Sequence, residues 1–317
     1  MDQYTKKTQE WLEHEFSKFD EKGRYISHQP IYGFGKSLDG RLNIPAYALF
    51  YQFLATLNTI SFSSFLDVGG AQGFYPFLVR HFFKKVRVRN SDLSQEVCNW
   101  GEKILGIKSD CVDVQNLPYK NNSFDVVFCS ETLEHVKDDK RALSELLRIA
   151  KKAVILTVPF EPAEVVTYNI QSKTPHGHIH TFSHGSFDYL KHQGLSVKVR
   201  KTQNVLMYIP DKLLFTEPIG YYVGRYPRIV FVIYNQMLSV LQSAFLKKIW
   251  RAVFSSYFVV KTMIFLDPIF SNFFFFHTLF FVITKDSKKK KSKKTVSLNE
   301  ILNVGVPYYE KKVEKKR

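Results

Sequence analysis

The chain has 317 residues, enough for one full α/β domain and a sizeable addition, and its 45 Lys and Arg outnumber 29 Asp and Glu for a net charge of +16. Its three cysteines, Cys98, Cys111 and Cys129, have no CxxC or Cys/His ligand spacing, which argues against a disulfide framework or zinc finger and for thiols in a reducing compartment. The opening MDQYTKKTQEWLEHEF carries charges where a secretory leader needs an apolar run, so a cytoplasmic protein is predicted.

Residues 1–60 read as a helical cap. Trp11, Leu12 and Phe16 have helical spacing, HQPIYGFG (28–35) is a Pro/Gly turn, and Tyr47 to Leu57 is an apolar helical stretch. From 61 to 205, β-rich runs alternate with helical patterns: SFLDV (64–68), VRVRN (86–90), DVVFC (125–129), AVILTVP (153–159) and SVKVR (196–200). Between the third and fourth runs, Leu143, Leu146, Leu147 and Ala150 form one apolar helical stripe behind the candidate N-caps Asp138 and Asp139. Strands alternating with helices predict a parallel sheet covered on both faces.

Residues 206–276 break this rhythm with aromatic and aliphatic helical stretches. RIVFVIYNQMLSVLQSAFLKKIWRAVFSSYF (228–258) can cap the domain or lie in a membrane interface with Lys247, Lys248 and Arg251 towards headgroups. TMIFLDPIFSNFFFFHTLFFVIT (262–284) contains no Lys or Arg, but Asp267-Pro268 is expected to break it, which favours a buried or interfacial segment over a span. Its end, 277–285, reads as the final strand, and 286–317 as a basic, disordered tail. Most of the charge sits late: residues 285–317 have a net of +8 and 206–284 a net of +4. The tail is thus a solvated segment or an anionic-lipid contact on the cytoplasmic membrane face, with nucleic acid the least favoured partner.

The chemistry is concentrated in SSFLDVGGAQGFY (63–75), a strand that breaks into glycines and then a helix. The dinucleotide fingerprint fails there, because Ala71 and Phe74 stand where glycines are needed. The spacing that fits is acidic-x-G-x-G-x-G on Asp67, Gly69, Ala71 and Gly73, where alanine is the least bulky replacement if its φ is negative. This pattern resembles motif I of the class I S-adenosylmethionine (SAM)-dependent methyltransferases. NSDLS places Asp92, with Leu93 beside it, 25 residues after Asp67. CVDVQNLPYKNNSFDVVFCSETLEHV (111–136) resembles the third and fourth motifs, and GHIHTFSHGSFDYLKHQGLSVKV (177–199) the segment leading into the sixth strand. The resemblance covers about 60–205 and is closest to the branch typified by ubiquinone/menaquinone-biosynthesis methyltransferases.

The resemblance implies a doubly wound, mostly parallel seven-stranded sheet (the Rossmann-like SAM methyltransferase fold), with the helical insertion before the last strand. It implies SAM as cofactor, held by Asp67, Gly69, Ala71, Gly73, Asp92, Leu93, Asp113, Val114 and Ser130. Asp92 would accept from the ribose hydroxyls, and Asp113 and Val114 would flank the adenine.

A general base is needed only for a protonated acceptor. Glu131 and His135 are the first candidates, Glu134 reads as structural, and His176, His178, His180 and His184 form a later cluster from which His178 and His180 are candidate substrate contacts. Alternation puts His178 and His180 on one strand face without further ligands at metal spacing, so no metal is expected. Cys129-Ser130-Glu131-Thr132 replaces the Asn/Asp-Pro-Pro-aromatic turn common in nucleic-acid amino-methylating enzymes, favouring a small-molecule, lipid or lipid-linked glycan acceptor for O- or C-methylation. A catalytically silent SAM-binding module and a nucleic-acid or protein methyltransferase are the alternatives.

Overall fold

The structure is a computed structural model that describes residues 3–19, 23, 25, 42–174, 176–214, 228–285 and 296–307. The expected turn at 28–35 and the lysine run after Lys285 lie outside the described residues.

In chain order the elements are α1 (Gln3–Glu15), α2 (Ile44–Leu57), β1 (Ser64–Val68), α3 (Phe74–Phe82), β2 (Arg87–Asp92), α4 (Gln95–Leu105), β3 (Ser109–Cys111), β4 (Phe124–Ser130), α5 (Asp139–Ile149), β5 (Ala150–Pro159), α6 (Ala163–Gln171), β6 (Ser196–Asn204), α7 (Ile209–Leu214), α8 (Arg228–Leu241), α9 (Ala244–Phe254), α10 (Tyr257–Phe270), β7 (Phe276–Thr284) and α11 (Leu298–Asn303). The seven strands form one sheet in the order β3-β2-β1-β4-β5-β7-β6. β1 to β5 pair in parallel, and β7 runs antiparallel between β5 and β6.

Each central strand is buried on both faces, which explains the nearly uninterrupted apolar runs of β1, β4 and β5. Period-two alternation divides their side chains between two cores. Phe65, Val126 and Phe128 face one, built with α2, α3 and α10, whereas Leu66, Val127 and Cys129 face the other, built with α5. Asp138 caps α5 by accepting from the Arg141 N–H at 2.9 Å, and Leu143 and Leu146 bury its stripe.

Three features depart from the sequence-based expectations. β3 is only three residues of Ser-Asp-Cys, too short and polar to show periodicity. Asp267-Pro268 does not break its helix: α10 continues to Phe270, and the bend of 71° lies between α9 and α10. A proline this close to the end forfeits one bond in a last turn that is about to terminate. The expected disordered tail also contains order, since Ile301, Leu302, Val304 and Val306 are buried against the α2 side of the sheet. Ser297 and Glu300 form a capping box at the start of α11.

Candidate active site

The carboxyl ends of β1, β2 and β4 open on a cavity of about 330 Å³, the usual position for a ligand in an open α/β sheet. Its wall contains Val68, Gly69 and Ala71 from the β1–α3 turn, Asp92 and Leu93 after β2, and Asp113 and Val114 after β3. Ser130, Glu131, Thr132 and His135 follow β4, and α1 covers the opening with Tyr4, Thr8 and Leu12. Of the residues singled out in the sequence, Asp67 and Gly73 stand behind this wall rather than on it, and His178 and His180 lie beside it.

The turn is built for close approach. Gly69 has φ 71, and a Cβ there would collide with the Thr132 side chain. Ala71 has φ 47 rather than the negative value that would suit alanine, a left-handed conformation costing about 1 kcal/mol. Two bonds hold it: the Ala71 N–H donates to Asp92 Oδ2 at 2.9 Å, and Asn90 Nδ2 donates to the Ala71 carbonyl at 2.8 Å. The Asp92 carboxylate also accepts from the Ser94 N–H at 3.2 Å, so backbone donors orient it at the cavity edge. Asp113 Oδ1 accepts from the Gln115 N–H at 2.8 Å.

Asp67 is fully buried, and neither carboxylate oxygen has a hydrogen-bond partner. Burial, then the nearby Asp92, push its carboxyl well above the ordinary range. Buried polar atoms are normally satisfied. An orphaned carboxylate directly beneath a glycine turn therefore fits a site that gains donors when a charged ligand arrives.

The β4 end is crowded with titratable groups. Glu131 takes φ 49 and is exposed at the cavity, where desolvation by the protein packed around its carboxyl raises it to about 7. Burial, followed by the Glu131 charge, raises Glu134 well above its ordinary value. Burial and the neighbouring His176 and His178 push His135 down to about 2, leaving it neutral. The His135 ring stacks on His176 at 3.7 Å, and His176 in turn stacks on Trp11 of α1 at 4.6 Å.

His178 and His180 lie in a loop rather than on one strand face, and their ring nitrogens bond to different groups. His178 Nδ1 pairs with Glu161 Oε2 at 2.6 Å, and His180 Nε2 donates to the Val136 carbonyl at 2.7 Å. Sequence reasoning missed Glu161, Trp11 and Thr132, which are distant in the chain or of unremarkable type.

Residues 66–158 match the family described as Methyltransferase domain. The curated norajmaline N-methyltransferase of Rauvolfia serpentina is 32% identical over 69 residues, which are 22% of this chain and only 21% of that protein. Among solved structures, the geranyl diphosphate C-methyltransferase of Streptomyces coelicolor A3(2) is similar with a TM-score of 0.50 and 13% identity, covering 90% of this chain and 99% of that one; it was solved with Mg2+, geranyl diphosphate and S-adenosyl-L-homocysteine. A SAM-dependent methyltransferase of Archaeoglobus fulgidus has a TM-score of 0.43 at 14% identity, covering 75% of this chain and 94% of that one. The motif-bearing residues 66–158 match a methyltransferase domain, and the seven-stranded sheet around them has the Rossmann-like methyltransferase fold.

Proposed function

We propose that the chain transfers a methyl group from SAM to an oxygen or carbon of an apolar or lipid-linked acceptor, such as a quinone-like ring or a lipid-borne glycan, met at a membrane surface. Gly69, Ala71, Asp92, Leu93, Asp113, Val114 and Ser130 would hold the cofactor, with Asp67 and Gly73 shaping the turn from behind. The cofactor supplies a sulfonium-activated methyl, so the residues' task is to position the acceptor, exclude water and accept a proton where one must leave. Asp92 offers carboxylate oxygens to vicinal hydroxyls. Glu131 is raised to about 7 on the cavity wall, a value suited to a base near neutral pH. His135 is neutral and able to accept a proton, although its lowered affinity makes it the weaker base.

The observation that supports an apolar acceptor is the outer surface of the insertion. Ile229, Ile233, Met237 and Val240 on α8 repeat at helical spacing and are exposed, as do Phe245, Ile249 and Val253 on α9. Phe258 of α10 is 77% exposed and Phe273 beyond it 78%. Exposed apolar stripes of this kind mark a membrane or partner contact. Among the described residues no single helix is long and apolar enough to cross a membrane, but α9 and α10 together pass in length and composition as a bent pair. Burial, then the Glu131 charge, raise the Tyr208 hydroxyl at the start of the insertion, which puts that end of the insertion within electrostatic reach of Glu131.

Incubation with methyl-labelled SAM and either the lipid or the aqueous extract of the source cell tests the reading. Label is expected in the lipid-extract product. Label from the aqueous extract alone would replace the lipid acceptor by a soluble one, and no label from either would favour a silent binding module.

A further inference from the structure

The groups gathered beyond the β4 end exceed what methyl transfer from SAM requires. One potential ligating atom from each of Glu134, His135 and His178 lies within 4.8 Å of the others. Glu134 is 0% exposed, with neither carboxylate oxygen hydrogen-bonded, and it shares its surroundings with the Glu131 and Glu161 charges. Such a buried carboxylate is unfavourable unless it takes a proton or meets a cation. His178 engages the Glu161 carboxylate through Nδ1, which leaves Nε2 with its lone pair. A carboxylate behind a histidine is the arrangement that orients metal-bound imidazoles.

We propose that Glu134, His135 and His178 form a binding site for a divalent transition-metal ion of the zinc type. Two imidazoles and one carboxylate match the three protein ligands of catalytic zinc centres and disfavour Mg2+ or Ca2+, which take oxygen ligands. Ligands of a tetrahedral zinc ion stand about 3.3 Å apart, so side-chain rotation must draw the present set inward. His135 also lines the cavity, which places the site's open positions towards the acceptor. An ion there would hold an acceptor oxygen and favour its deprotonated form. That use rests on the methyltransferase reading; the metal binding itself does not.

Full-length protein stripped of metal would be titrated with Co2+, read by its visible absorption, and with Zn2+ in competition, while SAM binding is followed by calorimetry on the same samples. About one equivalent of Co2+ displaced by Zn2+ is expected, with His178→Ala weakening both by more than the roughly 10- to 100-fold that loss of an outer partner costs while keeping cooperative melting and wild-type SAM binding. Glu161→Gln, which leaves all three ligands, should weaken the metal by about tenfold. Absence of any Co2+ or Zn2+ binding overturns the site, as does affinity unchanged in both His178→Ala and Glu134→Gln. Metal bound by a protein that binds no SAM supports the site and removes the methyltransferase reading. SAM bound without metal overturns the site alone.

Discussion

Gly69 shows how narrowly the turn is specified. Its φ of 71 and its contact with Thr132 leave no room for a side chain, so Gly69→Ala must strain the backbone and displace part of the cavity wall. Calorimetry should show SAM affinity reduced by roughly tenfold or more. Asp92→Ala removes the carboxylate offered at the ribose end and should cost on the order of 10- to 100-fold, the range for charged hydrogen bonds. Unchanged affinity in Asp92→Ala would remove that residue from the site. Asp67 makes a prediction about the ligand-free protein. Its carboxyl is raised in the fold relative to about 3.9 in the unfolded chain. The folded protein therefore keeps a proton that the unfolded chain releases, and this contribution is full below about pH 4 and is lost as pH rises through the raised value. Asp67→Asn has no charge to bury, so its melting temperature should exceed wild type at pH 8, by about 2–4 °C per kcal/mol regained, and the difference should shrink towards pH 4. A gap independent of pH would refute this. The acidic-glycine spacing announced the turn in the sequence, but the positive φ of Ala71 was invisible there, because its cause is the pair of bonds from Asp92 and Asn90.

At the level of elements, α10 is tied to the sheet by one carboxylate. Asp267 is buried and accepts from Thr202 Oγ1 at 2.6 Å, Asn204 Nδ2 at 2.7 Å, the N–H groups of Gln203 and Asn204 at 3.1 and 3.0 Å, and Ser271 Oγ at 3.2 Å. In the sequence this residue looked like half of a helix-breaking Asp-Pro pair. In the fold four of its five donors come from β6, more than sixty positions earlier, and no local pattern foretells that. Asp267→Ala leaves five donors without their acceptor, and losses of about 3–5 kcal/mol follow when one partner of a buried charged network is removed. Thermal unfolding should show it, together with early proteolysis within 228–275; stability within 1 kcal/mol of wild type would contradict the pinning role. The central strands were legible to within a few residues because burial on both faces writes long apolar runs. Helix α11 was missed although its Ser297-x-x-Glu300 box stood in the sequence, since six residues beside a lysine run do not display a periodic face. The histidine and glutamate grouping at the β4 end was half legible: Glu131, Glu134 and His135 share one motif, but the fold alone brings His178 and Glu161 to it.

Across the whole molecule, the charge and apolar surface of the C-terminal region favour the same environment. Net charges of +4 over 206–284 and +8 over 285–317 accompany the outward apolar stripes of α8 and α9 and the exposed aromatics of α10. A soluble cap would turn those stripes inward, as α2 does with Tyr47, Phe50, Phe53 and Leu54. On the proposed membrane-surface reading, lipid binding should have two separable parts. Each basic residue near an anionic surface contributes about 1 kcal/mol, screened over a Debye length of about 10 Å at 0.1 M salt. The apolar part persists at high salt. In flotation assays the full chain should rise with phosphatidylserine liposomes at low salt, and replacing Lys288, Lys289, Lys290, Lys291, Lys293 and Lys294 by glutamine, which leaves α11 in place, should weaken this mainly at low salt. Phe258→Ser combined with Phe265→Ser should weaken binding at every salt concentration without changing the melting temperature, because both rings are exposed. If the full chain binds neither anionic nor neutral liposomes at low salt, the membrane-surface acceptor is wrong, and the exposed stripes must meet a protein partner instead.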